Sequence, residues 1–174
     1  MGIASRAIRG SALLSLQFLV SNLLGLVYFV VATKVLTREE MGLLSVIQAY
    51  AAIVQSLLLF ALPQSIPKYS SQYQARGDEG VLAWLASLSV KAGVGLGLGS
   101  FALMVPLLTG TLGLDAPTAL VSAAFAGLGT ALRVSSSYIF GLNMFLDYSL
   151  IALGTSAVSV ASRILLLPLG VLGV

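Results

Sequence analysis

The chain has 174 residues, of which 58% are hydrophobic and only 9% charged, with a formal net charge of +3 and a mean hydropathy of +1.03. A soluble domain carries about 25% charged residues, so this chain lacks the polar surface to stay dispersed in water and reads as an integral membrane protein. It has no Cys and no His, which excludes disulfides, thiol nucleophiles, Ser–His–Asp triads and Cys/His zinc sites.

Residues 1–10 are short and basic, as at the start of a signal peptide. The apolar run behind them is long enough to cross a bilayer and has no A-x-A site after it, so it reads as a retained helix. Five apolar stretches fill the chain, at 11–32, 41–62, 92–110, 118–141 and 149–174. A membrane helix needs ~20 mostly apolar residues, so the expected fold is all-α: a polytopic membrane helix bundle of about five transmembrane helices. With their flanks the helices are placed at about 11–35, 38–62, 92–110, 118–141 and 149–172, in a single transmembrane domain over 1–174.

The connections carry local signals. Thr37 and Glu40 have capping-box spacing at the start of the second helix, where each side chain can bond the other's backbone N–H. Pro63 and Pro67 are expected to kink that helix rather than stop it, because 64–75 still reads as helical. Arg76-Gly77-Asp78 predicts a turn, and 79–90, with Trp84, an interfacial helical lead-in that leaves Lys91 near the membrane surface. The alternating glycines Gly93, Gly95, Gly97 and Gly99 follow no strand, as a nucleotide loop would. In a helix, Gly93/Gly97 and Gly95/Gly99 have the small-xxx-small spacing that lets backbones approach closely. Residues 108–117, with Asp115, and 142–148, with Asp147, are expected as loops.

Short-loop Lys and Arg favour the cytoplasmic side. With the N-terminus inside, the inner segments hold Arg6, Arg9, Lys68, Arg76 and Lys91, and the outer ones only Lys34 and Arg38. The expected location is therefore the cytoplasmic membrane, multi-pass, with a cytoplasmic N-terminus. The scattered basic residues argue against nucleic acid as a partner. No cofactor, metal cluster, phosphate loop or nucleophile–base pair is legible, so no enzymatic activity is expected.

Polar residues inside the apolar stretches are the candidate site. Arg133 lies ~22 Å along the axis from one end of its helix and ~12 Å from the other, with Thr130 and Ser137 three and four residues away. Arg163 lies deep in the last stretch, sharing a face with Thr155, Ser156 and Ser159. No acid lies inside any span: Glu39, Glu40, Asp78, Glu79, Asp115 and Asp147 are all at loops or ends. Buried membrane charges usually serve function, and these arginines suit an anion-handling cavity; the alternative is that they pair with backbone carbonyls or with acids from elsewhere. Gln17, Ser21 and Asn22 in the first helix, and Gln48 and Gln55 in the second, are cavity candidates too. Their alternative role is hydrogen bonding between helices.

The order and spacing of several strings resemble the polysaccharide-type flippases of the multidrug/oligosaccharidyl-lipid/polysaccharide exporter superfamily. The strings run from Arg9-Gly10-Ser11 through Leu24-Gly25 to Leu36-Thr37-Arg38-Glu39-Glu40-Met41-Gly42-Leu43. They resume at Leu62-Pro63-Gln64-Ser65, Lys68-Tyr69 and Gln72-Tyr73-Gln74-Ala75-Arg76-Gly77-Asp78, with looser matches at Tyr138-Ile139-Phe140-Gly141 and Ser162-Arg163-Ile164-Leu165. The resemblance implies a two-lobe transporter of the cytoplasmic membrane. Such a protein flips a lipid-linked oligosaccharide or polysaccharide precursor, often on a polyprenyl diphosphate, by alternating access. Five helices are less than one lobe, so it implies an N-terminal piece whose partners are that substrate, membrane lipids and the remaining helices. Members often carry a basic residue after the Gly141 position, where this chain has Leu142-Asn143-Met144. Two other functions stay open: a cation-coupled multidrug antiporter of the same superfamily, which needs intramembrane carboxylates absent here, and a non-transporting membrane scaffold.

Overall fold

The computed structural model describes residues 3–166, and within them every regular element is an α-helix. In chain order these are α1 (Ile3–Val35), α2 (Arg38–Leu59), α3 (Leu62–Arg76), α4 (Glu79–Leu112), α5 (Ala116–Gly141) and α6 (Phe145–Leu166). Four contain segments long and apolar enough to cross a membrane: Gly10–Val35, Arg38–Leu59, Glu79–Leu112 and Ala116–Gly141. A shorter apolar stretch, Phe145–Ala161, lies in α6, and the expected end of that helix at 172 lies outside the described residues. Large apolar side chains face outward along these helices, Phe18 at 68% and Leu57 at 73% exposure among them. A monomer in water does not expose apolar surface so continuously; lipid is the solvent that suits it. The chain forms two compact units, Leu43–Leu142 and the combination of Met1–Gly42 with Asn143–Val174.

Helix starts follow the local signals. The capping box before α2 is complete: Thr37 N–H donates to Glu40 Oε2 at 2.7 Å, and Glu40 N–H donates to Thr37 Oγ1 at 3.3 Å. Asp78 and Asp115 cap α4 and α5, accepting from the backbone N–H of Val81 and of Thr118, each at 3.1 Å. Such carboxylates satisfy N–H groups that have no partner inside the helix and face the positive end of its dipole. Gly77, at φ 71°, ends α3 in the left-handed conformation that a side chain would strain.

Four boundaries differ from expectation. The second helix stops before its prolines: Phe60 adopts φ 42°, and Pro63 sits in the first turn of the new helix α3, where its missing N–H costs nothing. The interfacial lead-in and the third span are one uninterrupted helix, α4, of 34 residues, with Lys91 exposed on it. The loop expected over 108–117 shrinks to residues 113–115, because Leu108 is fully buried and holds its turn in the helix. Likewise α6 begins at Phe145, so Asp147 is in its first turn rather than in a loop.

In the unit Leu43–Leu142, α4 and α5 pack backbone to backbone. A Cβ on Gly97 would lie 2.8 Å from the Gly127 carbonyl oxygen, and one on Gly127 would lie 2.7 Å from that of Gly97. Gly93 meets α5 as closely, at the Ala131 carbonyl oxygen, whereas Gly95 and Gly99 have nothing within 4 Å. Of the two glycine pairs, only Gly93/Gly97 is the packing face. The C-terminal end of α5 repeats the device against α3: a Cβ on Gly141 would lie 2.6 Å from Pro67 Cα. Leu59, Ile66 and Val134 form a core where α2, α3 and α5 meet, covered by Leu62, Ala92, Leu96 and Tyr138.

Gly97→Ala is expected to destabilise the protein by ~1–3 kcal/mol through overpacking, whereas Gly95→Ala should leave the melting temperature unchanged or raised. Thermal unfolding in detergent separates the two, and equal effects would contradict the close approach. At the α5 start, the Thr118 hydroxyl and backbone N–H hold the Asp115 carboxyl below the usual carboxylate range. A depressed folded-state pKa means that the cap's contribution is complete above the unfolded value and lost as pH falls through the folded one. An NMR titration of the Thr118 amide should show its midpoint below the ordinary Asp value, and Asp115→Asn should abolish the transition.

Candidate functional site

In the unit combining Met1–Gly42 and Asn143–Val174, several residues of α1 lie on one seam against α6. Three contacts define it. The Phe145 ring packs on Gly10, Ser21 Oγ and Ser156 Oγ lie 3.3 Å apart, and the Arg163 guanidinium sits 5.8 Å from the centre of the Tyr28 ring. Each pair is separated by the same 135 positions, so the helices run parallel and in register. Successive contacts are spaced as on straight helices of ~3.6 residues per turn.

Gln17 donates to Ser21 Oγ at 3.3 Å, joining the same seam. Asn22 does not: its amide donates to the Phe18 carbonyl oxygen of its own helix, 2.9 Å away, on an exposed face. Thr155 likewise donates to its own helix, at the Ile151 carbonyl oxygen (2.7 Å). Tyr28, which composition alone does not mark as functional, is buried beneath Arg163. Its signal in the sequence is the helical spacing Gln17, Ser21, Tyr28, which puts all three on one face.

In the unit Leu43–Leu142, Arg133 is exposed on α5, while Thr130 and Ser137 are buried. The polar stripe expected along this helix therefore splits. Thr130 and Ser137 donate to the carbonyl oxygens of Ala126 (2.9 Å) and Val134 (2.5 Å) in their own helix. Short hydroxyl side chains can satisfy themselves this way in an apolar environment; a guanidinium with five donors cannot. Gln55 reaches α5 from α2: its Nε2 donates to the Ala126 carbonyl oxygen at 3.3 Å and lies 3.7 Å from where a Cβ on Gly129 would stand. Ala126, Gly129 and Arg133 follow one strip of α5, so Gln55 and Arg133 share that strip a turn apart. Gln48 is exposed on α2.

All six acids stand at helix starts: Glu39 and Glu40 in the first turn of α2, Asp78 and Asp115 as caps, Glu79 and Asp147 in the first turns of α4 and α6. Arg133 and Arg163 lie ~25 and ~27 Å along the axis from the starts of their helices. Both arginines thus stand well beyond the carboxylate-bearing first turns, Arg133 within α5 and Arg163 in the last turn of α6, and a guanidinium can bind an anion through bidentate hydrogen bonds. Among the described residues no group of three or more acidic side chains is placed to hold a metal ion.

A double-mutant cycle on Ser21→Ala and Ser156→Ala should return a coupling of ~0.6 kcal/mol, the usual size of such bonds between membrane helices. Tyr28→Phe should preserve the stacking of Arg163 and Tyr28→Leu should lose ~0.5–2 kcal/mol of it, both read by unfolding in detergent.

A family model described as "Polysaccharide biosynthesis protein" matches residues 7–173. No curated protein and no solved structure matches the chain.

Proposed function

The chain belongs to the polysaccharide biosynthesis protein family, and we infer that it is part of a transporter that moves a lipid-linked oligosaccharide or polysaccharide precursor across the cytoplasmic membrane. The observation that carries this reading is the match over residues 7–173 on a chain that places Arg133 within the long apolar helix α5 and Arg163 in α6, with every carboxylate at a helix start. A lipid-linked sugar carries its charge in the phosphates that join sugar to lipid. Moving that headgroup through the bilayer strips water from the phosphates, and compensating cations lower the cost. Arg133 and Arg163 are the residues we assign to this role, with Gln17, Gln48, Gln55 and Asn22 as polar contacts for the sugar. The lipid chains stay in the bilayer between helices while the headgroup crosses.

Movement follows alternating access, with the cavity opening first to the cytoplasmic and then to the outer face. The N-terminus is cytoplasmic, as the five-to-two bias of short-loop Lys and Arg favours. The remaining helices of the full-length transporter complete the cavity.

Complementation of a polysaccharide-export mutant tests the assignment. Arg133→Ala and Arg163→Ala are each expected to cut export at least tenfold, and Arg→Lys to restore part of it, since the charge returns without the bidentate fork. Unimpaired export in both alanine variants, at wild-type protein levels, would remove the arginines from the mechanism.

A further inference from the structure

Helix α3 differs from its neighbours. It is 15 residues long, ~22 Å, too short to span the ~30 Å hydrocarbon core. Its sequence, LPQSIPKYSSQYQAR, holds two cations and no acid. It joins α2 to α4, each of which is long and apolar enough to cross the membrane, so it lies at a membrane surface. Its inner face is fixed in place. Ile66 and Ser70 are buried, the backbone at Pro67 presses on Gly141, and Gln74 donates to the Leu142 carbonyl oxygen at 3.3 Å.

The opposite face carries Lys68, Gln72 and Arg76 at intervals of four, one stripe of ~12 Å, with exposed Tyr69 beside it. Both cations lie near aromatic rings: Lys68 Nζ is 5.9 Å from the centre of the Tyr69 ring, and the Arg76 guanidinium 5.5 Å from that of Tyr73. The acids that follow are engaged elsewhere. Asp78 caps α4 through Val81, and Glu79 stands in the first turn of that helix. At ~51 Å, α4 is much longer than the hydrocarbon core is thick. Its first turns, with Trp84 at 61% exposure, extend into the headgroup layer alongside α3. Exposed Tyr and Trp at that depth, with Lys and Arg directed at phosphates, are the marks of a lipid-facing interface.

We propose that the Lys68–Gln72–Arg76 stripe of α3 is a docking surface for anionic phospholipid headgroups, separate from any site for the transported cargo. Two cations on a helix held at the membrane surface complement an anionic leaflet, and each basic residue near such a surface favours binding about fivefold. The adjacent tyrosines anchor the stripe at headgroup depth.

Trp84 is the sole tryptophan of the chain, so it reports on this end of the molecule without labelling. The full chain is reconstituted in phosphatidylcholine vesicles containing either brominated phosphatidylglycerol or brominated phosphatidylcholine, and quenching of Trp84 is compared at equal mole fraction. Wild type should favour the anionic lipid by roughly 5- to 25-fold in relative binding constant, and the preference should shrink as salt rises. Lys68→Gln with Arg76→Gln should bring it close to parity, whereas Lys68→Arg with Arg76→Lys should retain it. Equal quenching by the two lipids in wild type, a preference insensitive to salt, or a preference that survives the double glutamine substitution would overturn the proposal. The wild-type salt series needs no variant to fold, and none of these readouts depends on transport.

Discussion

The unit Leu43–Leu142 depends on a contact made by residues with no side chain. In lipid, apolar side chains gain little by leaving one hydrocarbon environment for another, so helices associate through close packing and hydrogen bonds. Gly97 and Gly127 bring the α4 and α5 backbones so near that either Cβ would collide with the facing carbonyl. That approach sets the level at which Ala131 and Ser135 meet Gly93. It also turns Thr130 and Val134 inward, and with them it determines that Arg133 falls on the outer strip reached by Gln55. Gly141 does the same for α3, whose outer stripe of cations is consequently held in one orientation.

Polar groups in the other unit are economical. Along the α1–α6 seam each contact is a different solution to the same problem: a ring on a glycine, a hydroxyl pair, a guanidinium on a phenol ring. The constant register makes these one continuous interface rather than three accidents. Packing near an aromatic ring leaves a guanidinium charged, so the support that Tyr28 gives Arg163 does not conflict with the anion-binding role proposed for it.

Charge placement ties the fold to the proposed transport of a phosphate-bearing lipid. Carboxylates stand at helix starts, where backbone N–H groups and the helix dipole stabilise them. Lys91 and Arg133 lie well inside α4 and α5, Lys34 and Arg163 in the last turns of α1 and α6, and Lys68 and Arg76 on the short helix α3. This arrangement suits the anionic cargo proposed for the chain, and the cations of α3 suit the proposed contact with an anionic leaflet.

Much of this was legible in the sequence, because the signals are local. Apolar length specified membrane helices, the Thr37/Glu40 spacing specified the capping box, and the turn at Gly77 followed from residue type. The glycine pairs were legible as packing faces, but not which pair packs: Gly93/Gly97 and Gly95/Gly99 are equivalent in spacing, and only the neighbouring helix distinguishes them. The prolines misled for a related reason, since a proline can kink a helix or begin the next one, and the backbone turn at Phe60 made the choice. Helix content and the absence of interior acids were determined by the sequence itself, because hydrophobic length and charge are properties of a segment alone. Tertiary structure decided that Tyr28 underlies Arg163, that Ser21 and Gln17 join a seam while Asn22 does not, and that Arg133 parts company with Thr130 and Ser137. Each of those outcomes depends on which side chain arrives from a helix far away in sequence.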